Sequence, residues 1–346
     1  MIVKKIAQAV GFGLFCAGLI LYVAPLVNKP SGGYFTPAIA SYHDAVKIAS
    51  PAVVNVYNQA FDTVGRQTSD ELRVNNLGSG VIMTKSGYIL TNQHVIQNAD
   101  QIIVALQSGS IFNATLVGSD KLTDLAVLKI EAENLPTIPQ NSKRAVNIGD
   151  VVLAIGNPLN LGQSITQGII SATGRNALSE GGRQNFIQTD ASINKGNSGG
   201  ALVNSAGELI AINTLSLGKN SDELAEGLNF AIPINLANKV MEKIIKDGRV
   251  IRGYFGVNSS LFYSAKQLGL GEKGVLITGV APNGPADKAG ILEGDLVLRI
   301  GNIEADNPAQ MMDAIAEMKP NTPVKVQISR QGTPLELNVT IGEFPD

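Results

Sequence analysis

Thr189-Asp190-Ala191-Ser192-Ile193-Asn194-Lys195-Gly196-Asn197-Ser198-Gly199-Gly200 sets one serine in a glycine turn between apolar runs. A hydroxyl that attacks a carbonyl must be exposed, and the oxyanion it creates needs backbone N–H groups without side chains in the way. Glycine flanks supply both. The candidate oxyanion loop is Gly196, Asn197 and Ser198, with the amides of Gly196 and Ser198 as donors. Ser198 then needs a general base, in this chemistry nearly always histidine.

The chain has two histidines, His43 and His94, and both precede Ser198. That order decides between folds. Gly196 to Gly200 also satisfies the G-x-S-x-G elbow of the α/β-hydrolases, but those enzymes place histidine after serine. The surviving orders are His, Asp, Ser and Asp, His, Ser.

His94 ends Tyr88-Ile-Leu-Thr-Asn-Gln-His94, an apolar, β-branched strand running into a polar loop after a glycine-rich lead from Gly78 to Gly87. His43, in Ser41-Tyr-His-Asp-Ala-Val-Lys, reads as a solvated residue of a surface helix. Asp124 stands at the mouth of the buried run Leu125 to Ile130, placed to orient a histidine. Asp120, in the polar turn Ser119-Asp-Lys, reads as a solvated turn residue. The expected triad is His94, Asp124 and Ser198.

Thr91-Asn-Gln-His94-Val, Thr123-Asp124-Leu-Ala-Val and Gly196-Asn-Ser198-Gly-Gly resemble the three catalytic boxes of the HtrA-family serine proteases, in motif and in spacing. The resemblance covers almost the whole chain after about residue 40. It implies a serine endopeptidase without a cofactor, built on two six-stranded barrels with the cleft between them, and a homotrimer. By family position Ser192, Ile193 and Leu215 line the substrate pocket. None carries a carboxylate, so cleavage is expected after a small or branched apolar residue.

Composition agrees. With 37 glycines, no tryptophan and 16% charged residues, the 346-residue chain reads as turns and strands, long enough for more than one core. A net charge of −2 gives no electrostatic footprint for nucleic acid. The single Cys16 permits no intramolecular disulfide, and two histidines without H-E-x-x-H predict no metal site.

From Ile6 to Val27 the chain is uncharged and apolar, led by Lys4 and Lys5. That length matches the ~20 residues of a bilayer-spanning helix. It exceeds the roughly 7 to 15 apolar residues of a cleaved signal, and the nearest small-residue site, Ala38-Ile-Ala40, is too distant. Residues 1–27 are thus expected to be an uncleaved inner-membrane anchor. Lys4, Lys5 and the amino terminus outweigh Lys29, which puts the N-terminus inside and the rest of the chain outside; the resemblance implies that this side is the periplasm. Residues 28–40, rich in Pro, Gly and Ser, read as a linker.

Residues 41–250 carry short β-branched runs bounded by turn residues, the pattern of an all-β barrel or sandwich, here the trypsin-like protease domain. The domain closes with a helix from Leu236 to Gly248. Residues 251–346 mix strands with two helical stretches, a small α+β domain. Gly269 to Gly274 satisfies G-x-G-x-x-G but precedes a strand, which excludes a dinucleotide site.

Arg252-Gly-Tyr254-Phe255-Gly256-Val257 and Gly284-Pro-Ala-Asp-Lys-Ala-Gly resemble one PDZ domain of the bacterial HtrA type. In such a domain the Phe255, Gly256 and Val257 amides cradle a peptide's terminal carboxylate, Tyr254 belongs to the same loop, and Arg252 adds charge. Resemblance to the membrane-anchored regulatory members implies two partners: C-termini of misfolded outer-membrane proteins at the PDZ domain, and a membrane anti-sigma factor (RseA-like) as substrate. The polar stretch 174–185, with Arg175, is the candidate regulatory loop. The alternatives are a general periplasmic quality-control protease and a non-proteolytic PDZ adaptor.

Overall fold

The computed structural model describes residues 2–19, 21, 41–61, 72–157, 162–175, 185–216, 227–259 and 273–345. The chain divides into two units, residues 1–41 and 42–346. In the first, α1 (Ile2–Gly18) is a 17-residue helix. Among the described residues no helix is long and apolar enough to cross a membrane. Residues 20 and 22–27 of the expected span lie outside the described residues.

The second unit opens with α2 (His43–Ala49), which buries Ala45 and Ala49 and leaves His43 on the solvent side, as its sequence suggests. The β-branched runs that follow become strands because alternate side chains can be buried on one face of a pleated ribbon. β1 (Val53–Phe61), β2 (Leu72–Ile82), β3 (Tyr88–Asn92), β4 (Gln101–Ala105), β5 (Ile111–Asp120) and β6 (Leu125–Lys129) close into a barrel in the order β1-β2-β3-β6-β5-β4. A second barrel has the order β10-β11-β12-β9-β8-β7. It is built from β7 (Val151–Gly156), β8 (Ser164–Arg175), β9 (Phe186–Thr189), β10 (Ala201–Asn204), β11 (Leu209–Ser216) and β12 (Asn229–Pro233). Closure leaves neither sheet an unpaired edge.

Val54, Val56, Ile82, Leu90 and Leu128 fill the first barrel with no exposed surface, in a core continuous with Leu153, Ile155 and Ile212 of the second. The helix α4 (Ile234–Asp247) buries Ala237, Val240, Met241 and Ile244 and packs on β5 and β6. It ends at Gly248, whose φ of 75° lets its N–H reach the Ile244 carbonyl at 2.8 Å. This helix starts two residues before the expected Leu236.

The remaining strands form a sheet in the order β14-β15-β16-β18-β19: β14 (Val257–Ser259), β15 (Val275–Val280), β16 (Leu296–Ile300), β18 (Pro323–Arg330) and β19 (Thr333–Thr340). β17 (Ile303–Glu304) pairs with β16, and β13 (Gly253–Tyr254) with β20 (Gly342–Glu343). Helices α5 (Pro285–Lys288) and α6 (Pro308–Ala316) complete the unit. Its own core includes Phe255, Ile277, Val297, Met311 and Val326. Asn307 caps α6, its side chain accepting from the Ala309 and Gln310 amides.

Candidate active site

β3 delivers the chain into a one-turn helix, α3 (Gln93–Ile96), and so puts His94 at the barrel mouth. Asp124 faces it from the turn into β6, in a left-handed conformation (φ 54°) that an aspartate tolerates better than most residues. The two are locked by backbone as well as side chain. The Gln93 N–H and the Asn92 side-chain amide donate to the Asp124 carbonyl at 3.1 and 2.9 Å, and the His94 N–H donates to Asp124 Oδ1 at 3.0 Å. His94 Nδ1 lies 2.7 Å from Asp124 Oδ2. A carboxylate there accepts a hydrogen bond, which assigns the N–H to Nδ1 and leaves the Nε2 lone pair free as a base.

The serine arrives from the second barrel. The Ser198 carbonyl accepts from Ser79 N–H (2.8 Å), and Ser79 Oγ donates to the Gly196 carbonyl (2.7 Å), so β2 stitches the loop to the first barrel. Gly199 N–H donates to the Asn213 carbonyl at 2.8 Å. At Gly199 φ is 81°, and a Cβ would sit 2.1 Å from the Ser79 carbonyl oxygen; at Gly200 it would sit 2.2 Å from that of Ile155. Both glycines are required by backbone approach. Neither the Gly196 nor the Ser198 N–H donates to a protein group among the described residues. The Asn197 N–H, by contrast, is consumed by the Asn194 carbonyl at 2.9 Å. The two amides left without an acceptor are those of Gly196 and Ser198, the pair expected as donors.

Thr214 joins the two halves, and no motif marks it. It is 2% exposed and lies where the β11–β12 register slips between Asn213 and Ser216. Its Oγ1 donates to Asp124 Oδ2 at 2.7 Å, while its carbonyl accepts the Ser198 hydroxyl at 2.9 Å. The hydroxyl is thus engaged by Thr214 and not by His94.

A serine hydroxyl, an oriented imidazole and two free amides together constitute acyl-transfer machinery. Residues 78–212 match the family described as trypsin-like peptidase domain, and residues 253–341 match PDZ domain. The chain is 60% identical to serine endoprotease DegS of Haemophilus influenzae, over 99% of both chains. It is 52% identical to serine endoprotease DegS of Escherichia coli K12, over 99% of this chain and 98% of the relative. A crystal structure of the serine endoprotease from Yersinia pestis superposes with a TM-score of 0.74 at 53% identity, covering 88% of this chain and 98% of that one. The HtrA-type protease AlgW with tripeptide superposes with a TM-score of 0.78 at 46% identity, covering 88% and 98%.

This chain belongs to the HtrA family. It is a DegS-like serine endopeptidase of the HtrA type.

Around the candidate triad of this HtrA-type chain the expected pocket residues part company. Ser192 is exposed, but Ile193, in the loop after β9, is 3% exposed and belongs to the core of the second barrel. Leu215 lies in β11, and its side chain is outside the described set. Arg175 ends β8, its backbone paired with Phe186, and residues 176–184 of the expected regulatory loop lie outside the described residues.

In the PDZ unit the Tyr254 to Val257 loop has the form of an anion cradle. Gly256 adopts φ 80°, and among the described residues the Phe255 and Gly256 N–H groups donate to no protein acceptor. Their carbonyls are used instead, accepting from Ala286 and Ala281 N–H at 2.9 Å each. Phe255 anchors the loop, wholly buried in the core. β14, next in the chain, is an edge strand.

Arg252 does not face this cradle. Its guanidinium grips Asp120, Nη1 to Oδ1 at 2.6 Å and Nη2 to Oδ2 at 2.7 Å. Asp120, read from its polar neighbours as solvated, is 7% exposed and also accepts from Thr123 N–H (3.2 Å) and Oγ1. The partner that buries it lies 132 residues away, which no local reading reveals.

Proposed function

We propose that this endopeptidase is a switched envelope protease, anchored in the inner membrane by residues 1–27 with its barrels and PDZ unit in the periplasm. It assembles as a homotrimer. It is activated when C-termini of misfolded outer-membrane proteins occupy the Tyr254–Val257 loop, and it then cuts a membrane-bound anti-sigma factor. The observation that carries this reading is the Arg252–Asp120 pair. It ties the strand leading into the PDZ loop to the turn that ends in Asp124, so an event at one site has a covalent and hydrogen-bonded route to the other. Relatives named DegS and the periplasmic endoprotease DegQ of Escherichia coli support the envelope assignment, and the AlgW structures with bound peptides support a peptide ligand.

In the reaction, the Ser198 hydroxyl leaves the Thr214 carbonyl and turns to His94 Nε2, which takes its proton as Oγ bonds to the scissile carbonyl carbon. The Gly196 and Ser198 amides hold the oxyanion, and Asp124 holds the imidazolium. His94 passes the proton to the leaving amine as the C–N bond breaks. Water, deprotonated by the same nitrogen, then releases the acyl group and restores Ser198.

The test is co-reconstitution of the full chain with a membrane-anchored anti-sigma factor in liposomes. The proposal expects cutting only when a peptide ending like an outer-membrane protein is added. Equal cutting without peptide, or of any unfolded soluble protein, would support the quality-control alternative.

A further inference from the structure

A cavity of about 340 Å3 lies between the barrels and the PDZ unit, lined by Leu122 and Thr123 of the turn before Asp124, by α4, by Val250 and Arg252, and by the last turn of α6. Its size falls in the range of small-molecule sites. The floor is apolar: Leu122, Leu236, Val240, Val250 and Ala316. The rim is charged, but most of that charge is already matched. Lys243 pairs with Glu317 across the gap at 3.1 Å, and Arg252 pairs with Asp120. Asp313 also has a partner. Lys239, one turn before Lys243 on α4, has no ion pair or hydrogen bond among the described residues.

We propose that this cavity binds a small aliphatic carboxylate, its head group on the Lys239 ammonium and its chain over Leu236, Val240 and Ala316. An unmatched cation beside an apolar floor selects an amphipathic monoanion. A neutral chain forgoes the ion pair, and a small hydrophilic anion leaves the floor wet. A ligand seated there touches both α4 and α6 and so favours the arrangement in which the Ser198 hydroxyl rests on Thr214. That second consequence rests on the switched-protease reading; binding itself does not. Bound carboxylate raises the concentration of activating peptide needed for half-maximal cleavage, because a ligand specific to one state shifts the equilibrium toward it.

Octanoate is the probe, titrated calorimetrically into the full chain in non-ionic detergent, with octanol as the uncharged control. One saturable site per chain is expected, weakened about tenfold or more both by Lys239→Met, which removes the head-group partner, and by Ala316→Leu, which fills the floor. Octanol should give no saturable site. Binding unaltered in both variants means partition into detergent or the N-terminal segment and overturns the proposal, as does absence of binding to the parent. Binding as expected without any effect on peptide activation retains the site and rejects only the consequence drawn for that activation, because a ligand that does not discriminate between two states shifts neither.

Discussion

Asp120 accepts both terminal guanidinium nitrogens of Arg252, and the pair is almost wholly buried, at 7% and 13% side-chain exposure. Asp124 follows Asp120 by four positions, and Thr123 bonds back to Asp120 within that turn. A residue at the start of the PDZ unit therefore helps to shape the turn that aims the candidate triad carboxylate, Asp124.

Arg252→Ala leaves a buried carboxylate unpaired, and breaking a pair in this way costs about 3–5 kcal/mol. Denaturant unfolding should show that loss. In the same variant, cleavage without peptide should rise about tenfold, since the contact belongs to the arrangement in which Ser198 rests on Thr214. A double variant with Asp120→Ala should recover stability without restoring peptide control.

Thr214→Val keeps the shape and removes the hydroxyl that donates to Asp124 Oδ2 at 2.7 Å. Specific activity should fall about tenfold to a hundredfold, the scale of losing a charge-assisted hydrogen bond of roughly 1.5–3 kcal/mol. Thr214→Ser should retain most of the activity.

Gly199→Ala forces a Cβ to within 2.1 Å of the Ser79 carbonyl at a φ of 81°. The loop must shift, carrying the Ser198 hydroxyl with it. Cleavage should drop by more than about a hundredfold, as a misplacement of about 1 Å does. Circular dichroism should still report folded barrels.

The PDZ unit has its own acid limit. Burial pushes the Asp295 carboxyl up, but the Arg330 guanidinium and the Leu292 amide outweigh it and hold it below its ordinary value of 3.8. A depressed folded-state value means the stabilisation is present above pH 3.8 and disappears as pH falls through the lower folded value. Thermal unfolding should show the PDZ transition falling below about pH 4. Asp295→Asn should lower it at neutral pH and flatten that dependence.

Much of the architecture is legible in the chain. The β-branched runs mark ten of the twelve barrel strands, and the position of both histidines before Ser198 excludes the competing fold. β5 escapes such a reading because Ile111 and Leu116 are exposed and Thr115, Gly118 and Ser119 break the alternation. β10 escapes because its four residues follow directly on the nucleophile turn. At the site, residues in boxes are visible and residues acting from afar are not. Thr214 serves Asp124 across 90 residues, and Asp120 looks solvated until Arg252 covers it. Within the glycine turn the Asn197 amide closes onto the Asn194 carbonyl, a choice made by backbone geometry. Ile193 packs into the core of the second barrel, which its place in a loop does not announce.

The most direct measurement is cleavage of a reporter peptide by the full chain, with and without a hydrophobic C-terminal peptide, beside Ser198→Ala and Arg252→Ala. A switched protease gives little cutting at rest, strong cutting with peptide, none in Ser198→Ala under either condition, and raised resting activity in Arg252→Ala. Equal cutting with and without peptide, unchanged by loss of Arg252, would contradict the link between the PDZ loop and the triad.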